Sequence, residues 1–146
     1  MRFLHDGQLE GARIKVPVQF LRRPDEPPQP ELERFYDRLF KTLPQTGVGR
    51  GTAAVLRPRE AWPGNETAQD LVLVQWQAAA PDFDLVAVNL APHSSQCYAP
   101  LNPKNLAEHE WIMKDLLGTE EYRRSGKDLQ HQGLYLDLPA NGAQLF

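Results

Sequence analysis

Cysteine is nearly absent from this chain of 146 residues, which has a single one, Cys97. One cysteine excludes an internal disulfide and is typical of a reducing compartment. Long hydrophobic runs are missing too, because no apolar stretch approaches the roughly 20 residues that a membrane-spanning helix requires. No signal peptide is visible at the start of the sequence. We therefore expect a cytoplasmic location and no membrane partner.

Positive charge is also scarce. The formal net charge is -3, and the basic residues cluster only in the pairs Arg22-Arg23 and Arg123-Arg124. A protein that binds nucleic acid usually carries a basic patch or stripe, so we expect no nucleic-acid partner.

Motifs of known catalytic chemistry are absent. No G-x-S-x-G pattern surrounds Ser94 and Ser95, and Cys97 has no second cysteine beside it. The sequence shows no paired carboxylates, no metal-ligand spacing and no phosphate-binding loop. We therefore predict that the chain has no catalytic residue, no metal site and no cofactor, and that it is not an enzyme by itself.

Two dense apolar runs dominate what is present. They are LVLVQWQ at residues 71–77 and FDLVAVNL at residues 83–90, and a shorter run follows at 96–101. Branched and aromatic residues at this density, with turn residues between the runs, predict paired antiparallel strands. Both faces of each run are apolar at the centre, which is typical of central strands in a two-layer sandwich.

Further short strands are predicted on both sides of these runs. Alternating patterns lie at residues 53–57, 109–116, 134–138 and 143–146, and the polar stretch 119–132 fits one or two edge strands. The total of seven or eight strands predicts an antiparallel Greek-key β-sandwich over residues 47–146. We expect Trp76 and Trp111 in its core.

The first part of the chain, residues 1–46, has a different character. Residues 2–4 resemble the end of a strand, and residues 13–20 form an extended segment that Pro17 keeps out of a central sheet position. After a proline-rich connection, residues 30–43 have the i, i+3, i+4 spacing of an amphipathic helix. Its apolar stripe requires a partner surface, and we predict a domain interface at Leu32, Phe35, Leu39 and Leu43.

The order of these motifs resembles the carboxyl-terminal end of the alpha-amylase family of glycoside hydrolases. RFLHDGQLEG resembles the last strand of the catalytic (β/α)8 barrel with its loop, and PELERFYDRLFKTL resembles the last barrel helix. The strand LVAVNLAP and the closing pattern LYLDLPANGAQLF resemble the β-sandwich that follows the barrel in that family.

The resemblance implies a non-catalytic domain that stabilises the barrel of its parent chain. Residues 1–46 would then be the end of that barrel, and residues 47–146 the carboxyl-terminal sandwich. The parent would be a hydrolase or glucanotransferase acting on alpha-glucans or related alpha-glucosides. Its catalytic carboxylates belong to the fourth and fifth barrel strands, upstream of this chain, so the resemblance transfers no catalytic residue.

Some residues have a functional and a structural interpretation. His5, Asp6, Gln8 and Glu10 would lie at the rim of the substrate cleft or form a solvated turn. Trp62, in a Pro-Gly-Asn loop, would stack on a sugar, or it would fill one end of the sandwich or the domain interface.

Two alternative functions remain open at this point. A stand-alone carbohydrate-binding module would use exposed aromatic residues, for which Trp62, Tyr98 and Tyr135 are suitable but not clustered in the sequence. A protein-interaction domain would instead dock through the helix, either on a partner or on a second copy of the chain.

Overall fold

The structure of the chain is a computed structural model, and it describes residues 4–14, 17, 19, 22, 24–78 and 82–146. The chain divides into two compact units, Met1–Thr42 and Leu43–Phe146. The assignment of residues 1–46 to the end of a catalytic barrel stays a prediction.

The first unit contains the predicted helix, α1, at Pro30–Thr42. Proline suits the first helical position because its missing N–H has no partner there. The carbonyl of Gln29 accepts hydrogen bonds from the N–H groups of Leu32 and Glu33, at 3.0 and 3.1 Å. Glu31 and Glu33 lie in the positive first turn and Lys41 in the negative last turn, so charge also favours the helix.

Other predictions for the first unit are only partly covered by the structure. Residues 6–11 form turns, and the described residues between 12 and 29 form no helix or strand. Most of the predicted strand end at 2–4, and positions 15, 16, 18 and 20 of the predicted extended segment, lie outside the described residues.

The described residues of the second unit are mostly β, as predicted, and form eight strands. They are β1 Thr52–Leu56, β2 Leu71–Gln77, β3 Asp84–Asn89, β4 Ser95–Ala99, β5 Glu110–Lys114, β6 Glu121–Ser125, β7 Leu134–Leu138 and β8 Ala143–Leu145. They form one four-stranded sheet in the order β1-β2-β3-β8 and two pairs, β4-β7 and β5-β6. Every pairing is antiparallel.

The central position of β2 and β3 in the four-stranded sheet is confirmed, but only one face of these strands is fully buried. Leu73 and Leu85 lie on the buried face, whereas Val72, on the other face, is 41% exposed. Trp76 shares the face of Val72 and is only half-buried. The prediction that Trp76 belongs to the core was therefore wrong, because alternation separates two faces without showing which one is covered.

One hydrophobic cluster forms the core of the second unit. It contains Leu56, Ala68, Leu71, Leu73, Leu85, Ala87, Cys97, Ala99, Leu101, Leu106, Met113, Leu129, Leu134, Leu136, Leu138 and Phe146. Trp111 packs against this cluster, with its ring centre 5.1 Å from that of Phe83. Its indole N–H donates to the carbonyl of Leu106 at 2.8 Å.

The polar stretch 119–132 differs from the prediction of edge strands alone. It contains strand β6 and then a short helix, α2, at Gly126–His131. The hydroxyl of Ser125 accepts a hydrogen bond from the N–H of Lys127 and so caps the helix. The segment Ser-Gly-Lys-Asp at 125–128 is close to the capping pattern that precedes helices, and this signal was present in the sequence.

Candidate functional site

The predicted interface stripe of α1 is accessible in part. Phe35 is 39% exposed, and Leu32 and Leu39 are half-buried. Leu43, in the 3-10 turn that follows the helix, is buried. Phe35 also makes an edge contact with Tyr36, at 5.6 Å between ring centres. An exposed phenyl ring on an amphipathic helix is an apolar surface that a partner could cover.

The polar cluster near the start of the chain lies on a turn held to α1. The amide of Gln8 donates to the hydroxyl of Tyr36 at 2.9 Å, and its carbonyl oxygen accepts from the N–H of His5 at 3.3 Å. The backbone carbonyl of Glu10 accepts from the N–H of Gln29 at 2.9 Å. These contacts fix the turn, and its role at the rim of a cleft stays a prediction.

Ser95 and His93 both approach Asp70, but they do not form a nucleophile–base pair. The hydroxyl of Ser95 donates directly to the Asp70 carboxylate at 3.3 Å, and the His93 Nε2 atom lies 3.8 Å from the same oxygen. Ser95 is also fully buried. A catalytic serine donates to a histidine and faces the substrate, so this arrangement is a structural link between β4 and the segment before β2.

Cys97 lies in the core on the inner side of β4. Burial raises the pKa of its thiol to about 12. The reactive form of cysteine is the thiolate, which is almost absent at neutral pH when the pKa is this high. Cys97 is therefore an inert core residue.

Trp62 lies in the loop between β1 and β2, with 50% of its surface exposed. The loop is closed by the N–H of Asn65, which donates to the carbonyl of Trp62 at 3.1 Å, and by the N–H of Gly64, which donates to Glu60 at 3.2 Å. Asn65 is itself buried. A fixed loop thus presents the indole to solvent, and contact with a sugar there stays a prediction.

The structure brings together two tyrosines that the sequence left apart. Tyr98 on β4 is paired with Tyr135 on β7, and their ring centres are 5.6 Å apart. The next pair on the same face of these strands is Gln96 with Asp137, and the Gln96 amide donates to the Asp137 carboxylate at 2.9 Å. Interpreting the tyrosines as unclustered was wrong, because they meet only through a pairing across 37 positions of sequence.

The segment before Trp62 extends this arrangement. Arg59 forms an isolated antiparallel bridge with Tyr98, and each N–H donates to the other residue's carbonyl at 2.9 Å. Residues directly opposite in such a bridge project on the same side. We call Arg59, Gln96, Tyr98, Tyr135 and Asp137 the tyrosine face.

Burial and the nearby Asp137 carboxylate raise the pKa of the Tyr135 hydroxyl. The hydroxyl is therefore neutral at physiological pH and can both donate and accept hydrogen bonds.

In the described part of the chain, no group of three His, Cys, Asp or Glu side chains is placed to hold a metal ion. No helix in the same part combines the length and apolar character needed to cross a bilayer.

The chain matches no protein-family model, and no curated protein sequence is significantly similar to it.

Proposed function

We propose that the chain is the non-catalytic carboxyl-terminal part of an alpha-amylase-like glycoside hydrolase or glucanotransferase that acts on alpha-glucans or related alpha-glucosides. The order of its motifs supports this proposal, and so does its division into a helix-bearing unit followed by a mostly-β unit. The observation on which the proposal chiefly rests is α1, whose apolar stripe includes the exposed ring of Phe35.

In this proposal the second unit is a two-layer sandwich with Greek-key connections. The inner faces of β2 and β3 from one sheet, and of β4 and β7 from another, contribute to a single core cluster, which supports two packed layers. The pairings are nested along the sequence: β4 and β7 lie between β3 and β8, which pair with each other, and the pair β5-β6 lies between β4 and β7. Nested long-range pairings of this kind are typical of Greek-key folds.

The physical role of the chain would be to cover apolar surface on the barrel. The stripe of Leu32, Phe35 and Leu39 would pack against a preceding barrel helix or strand of the same polypeptide. Burying apolar surface stabilises a protein by roughly 25 cal/mol per Å². The chain would therefore contribute to the stability of the catalytic domain without contacting the reacting atoms.

Peptide mapping of the protein as made in its source cells tests this proposal. Antibodies against the second unit would isolate the natural product, and mass spectrometry would identify its peptides. We expect peptides that continue upstream of Met1 and encode a (β/α)8 barrel with two catalytic carboxylates. A natural product that begins at Met1, or that continues into an unrelated domain, would overturn the proposal.

A further inference from the structure

The tyrosine face has one side fully packed and the other side open. Along β4 and β7, the residues that alternate with those of the tyrosine face point to the opposite side and are buried. They are Ser95, Cys97, Ala99, Leu134, Leu136 and Leu138. On the outer side Tyr135 is 40% exposed, and Tyr98 and Gln96 are half-buried. Two aromatic rings thus stand on a rigid sheet with part of their surface in water.

The polar groups of the tyrosine face are held in place around these rings. Thr67 accepts a hydrogen bond from the N–H of Gln96 at 3.2 Å, and its hydroxyl donates to the Gln96 side chain at 3.4 Å. The Arg59 guanidinium donates to the carbonyl of Gln132 at 2.5 Å. Side chains that are already fixed lose little conformational entropy when they bind a ligand.

Gly133 makes room for the guanidinium of Arg59. Its φ angle is +89°, which side chains rarely tolerate, and a Cβ atom there would overlap the carbonyl oxygen of Ala99. The same Cβ atom would lie 3.3 Å from the Arg59 Nη2 atom. A side chain at this position would therefore crowd both the backbone of β4 and the Arg59 guanidinium.

The chemistry of this surface fits a neutral, polyhydroxylated ring. A sugar has an apolar C–H face that packs on aromatic rings, and hydroxyl groups at its edge that need donors and acceptors. The tyrosine face offers both, since an amide, a guanidinium, a carboxylate and two phenol hydroxyls surround the rings. Arg59 and Asp137 have opposite charges, so the surface does not select a strongly charged ligand.

We propose that the tyrosine face is an oligosaccharide-binding site and that its ligand is an alpha-glucan chain. The site itself follows from the geometry, and the choice of an alpha-linked glucan rests on the proposed function. Tyr135, the more exposed ring, provides the principal stacking surface. At the edge of the sugar, the Gln96 amide donates and accepts hydrogen bonds, and the Asp137 carboxylate accepts them.

Titration with maltoheptaose tests this site, with binding measured by isothermal calorimetry on the full chain. We expect saturable binding that Tyr135→Ala weakens by about tenfold or more, because a stacking surface is lost. Tyr135→Phe keeps the ring and should retain most of the affinity. Ile112→Ala is the matched control, since Ile112 is an exposed apolar residue on another sheet and its loss should leave binding unchanged.

The variant Trp62→Ala distinguishes binding at the tyrosine face from binding at the loop that carries Trp62. Binding that disappears with Trp62→Ala and survives Tyr135→Ala would place the site on the loop and overturn the proposal. Absence of saturable binding in the wild type would overturn it too. If Tyr135→Ala fails to fold, amide chemical shifts of the wild type decide: maltoheptaose should move those of residues 96–98 and 135–137, and shifts confined to other residues would overturn the proposal.

Cellohexaose, a beta-linked glucan, tests the choice of ligand. Binding of cellohexaose without maltoheptaose would overturn the assignment of an alpha-glucan. The proposed function fails by a different measurement, namely upstream peptides that encode no barrel. The two failures are therefore distinguishable.

Discussion

Asn89, at the end of β3, joins two segments through a fully buried side chain. Its amide group donates to the carbonyl oxygens of His93, Leu138 and Pro139 at 2.7, 3.2 and 2.9 Å. The side-chain oxygen of Asn89, Oδ1, accepts a hydrogen bond from the N–H of Ala91 at 3.0 Å. One side chain thus fixes the turn after β3 and the end of β7, and it must be both donor and acceptor to do so.

Asn89→Asp should destabilise the protein strongly at pH 7, by about 3 kcal/mol, because a carboxylate cannot donate to three carbonyl groups. We expect the pKa of the introduced carboxyl group to be raised above the ordinary value of about 3.9 in the folded protein. The stability of this variant is then greatest below the unfolded-state pKa of about 3.9, and it is lost as the pH rises through the folded-state pKa.

Urea unfolding at pH 4 and pH 7 measures this effect. Asn102→Asp is the control, because position 102 is exposed and the introduced carboxyl group can ionise in water. A loss of stability in Asn89→Asp that is equal at both pH values would contradict the explanation.

At the scale of elements, α2 shows how a short polar helix is held by its neighbours. Its first residue, Gly126, is buried, and its N–H donates to the carbonyl of His109 at 2.9 Å. Leu129 in the same helix belongs to the core cluster. The backbone of the 3-10 turn at Leu106–Glu108 lies so close to the Cα atom of Gly126 that there is no room for a Cβ atom.

Gly126→Ala should lower the free energy of unfolding by about 3 kcal/mol, because its Cβ atom would overlap the carbonyl oxygen of Leu106 and lie 2.6 Å from that of His109. Both obstacles are backbone atoms that cannot rotate away. Lys127→Ala, at the exposed next position, should change stability by less than about 0.5 kcal/mol. Equal urea midpoints for the two variants would show that the backbone relaxes at little cost.

For the whole molecule, the distribution of apolar residues differs between the two units. Every residue of the core cluster lies in Leu43–Phe146, whereas the larger apolar side chains of α1 remain accessible or half-buried. If a barrel covers this stripe, a charge placed on the stripe would be buried, and its burial would lower the stability of the protein. The stability of the intact protein therefore reports on the proposed interface.

Leu39→Asp should lower the melting temperature of the intact protein by about 5 °C, since burying an unpaired charge costs at least about 2 kcal/mol and each kcal/mol corresponds to about 2–4 °C. Arg34→Asp is the matched control, because it places the same carboxylate on the exposed side of α1. Calorimetry of both variants is the measurement. An unchanged melting temperature in Leu39→Asp would count against a covered stripe.

Local patterns in the sequence were sufficient to predict most elements. The period of the apolar residues in residues 71–77, 134–138 and 30–43 corresponds to β2, β7 and α1. These patterns depend on a few adjacent residues and on backbone geometry, so they can be recognised without knowing the fold. The interface at Leu32, Phe35, Leu39 and Leu43 and the sugar contact at Trp62 stay predictions.

The sequence by itself determined most of the strands and the long helix. Only the tertiary structure decided which strands pair beyond β2 and β3, which face of β2 is buried and where Tyr98 meets Tyr135. The physical reason is range: side-chain alternation is set by neighbouring residues, whereas the pairing of β4 with β7 depends on the packing of a core assembled from residues far apart in the chain.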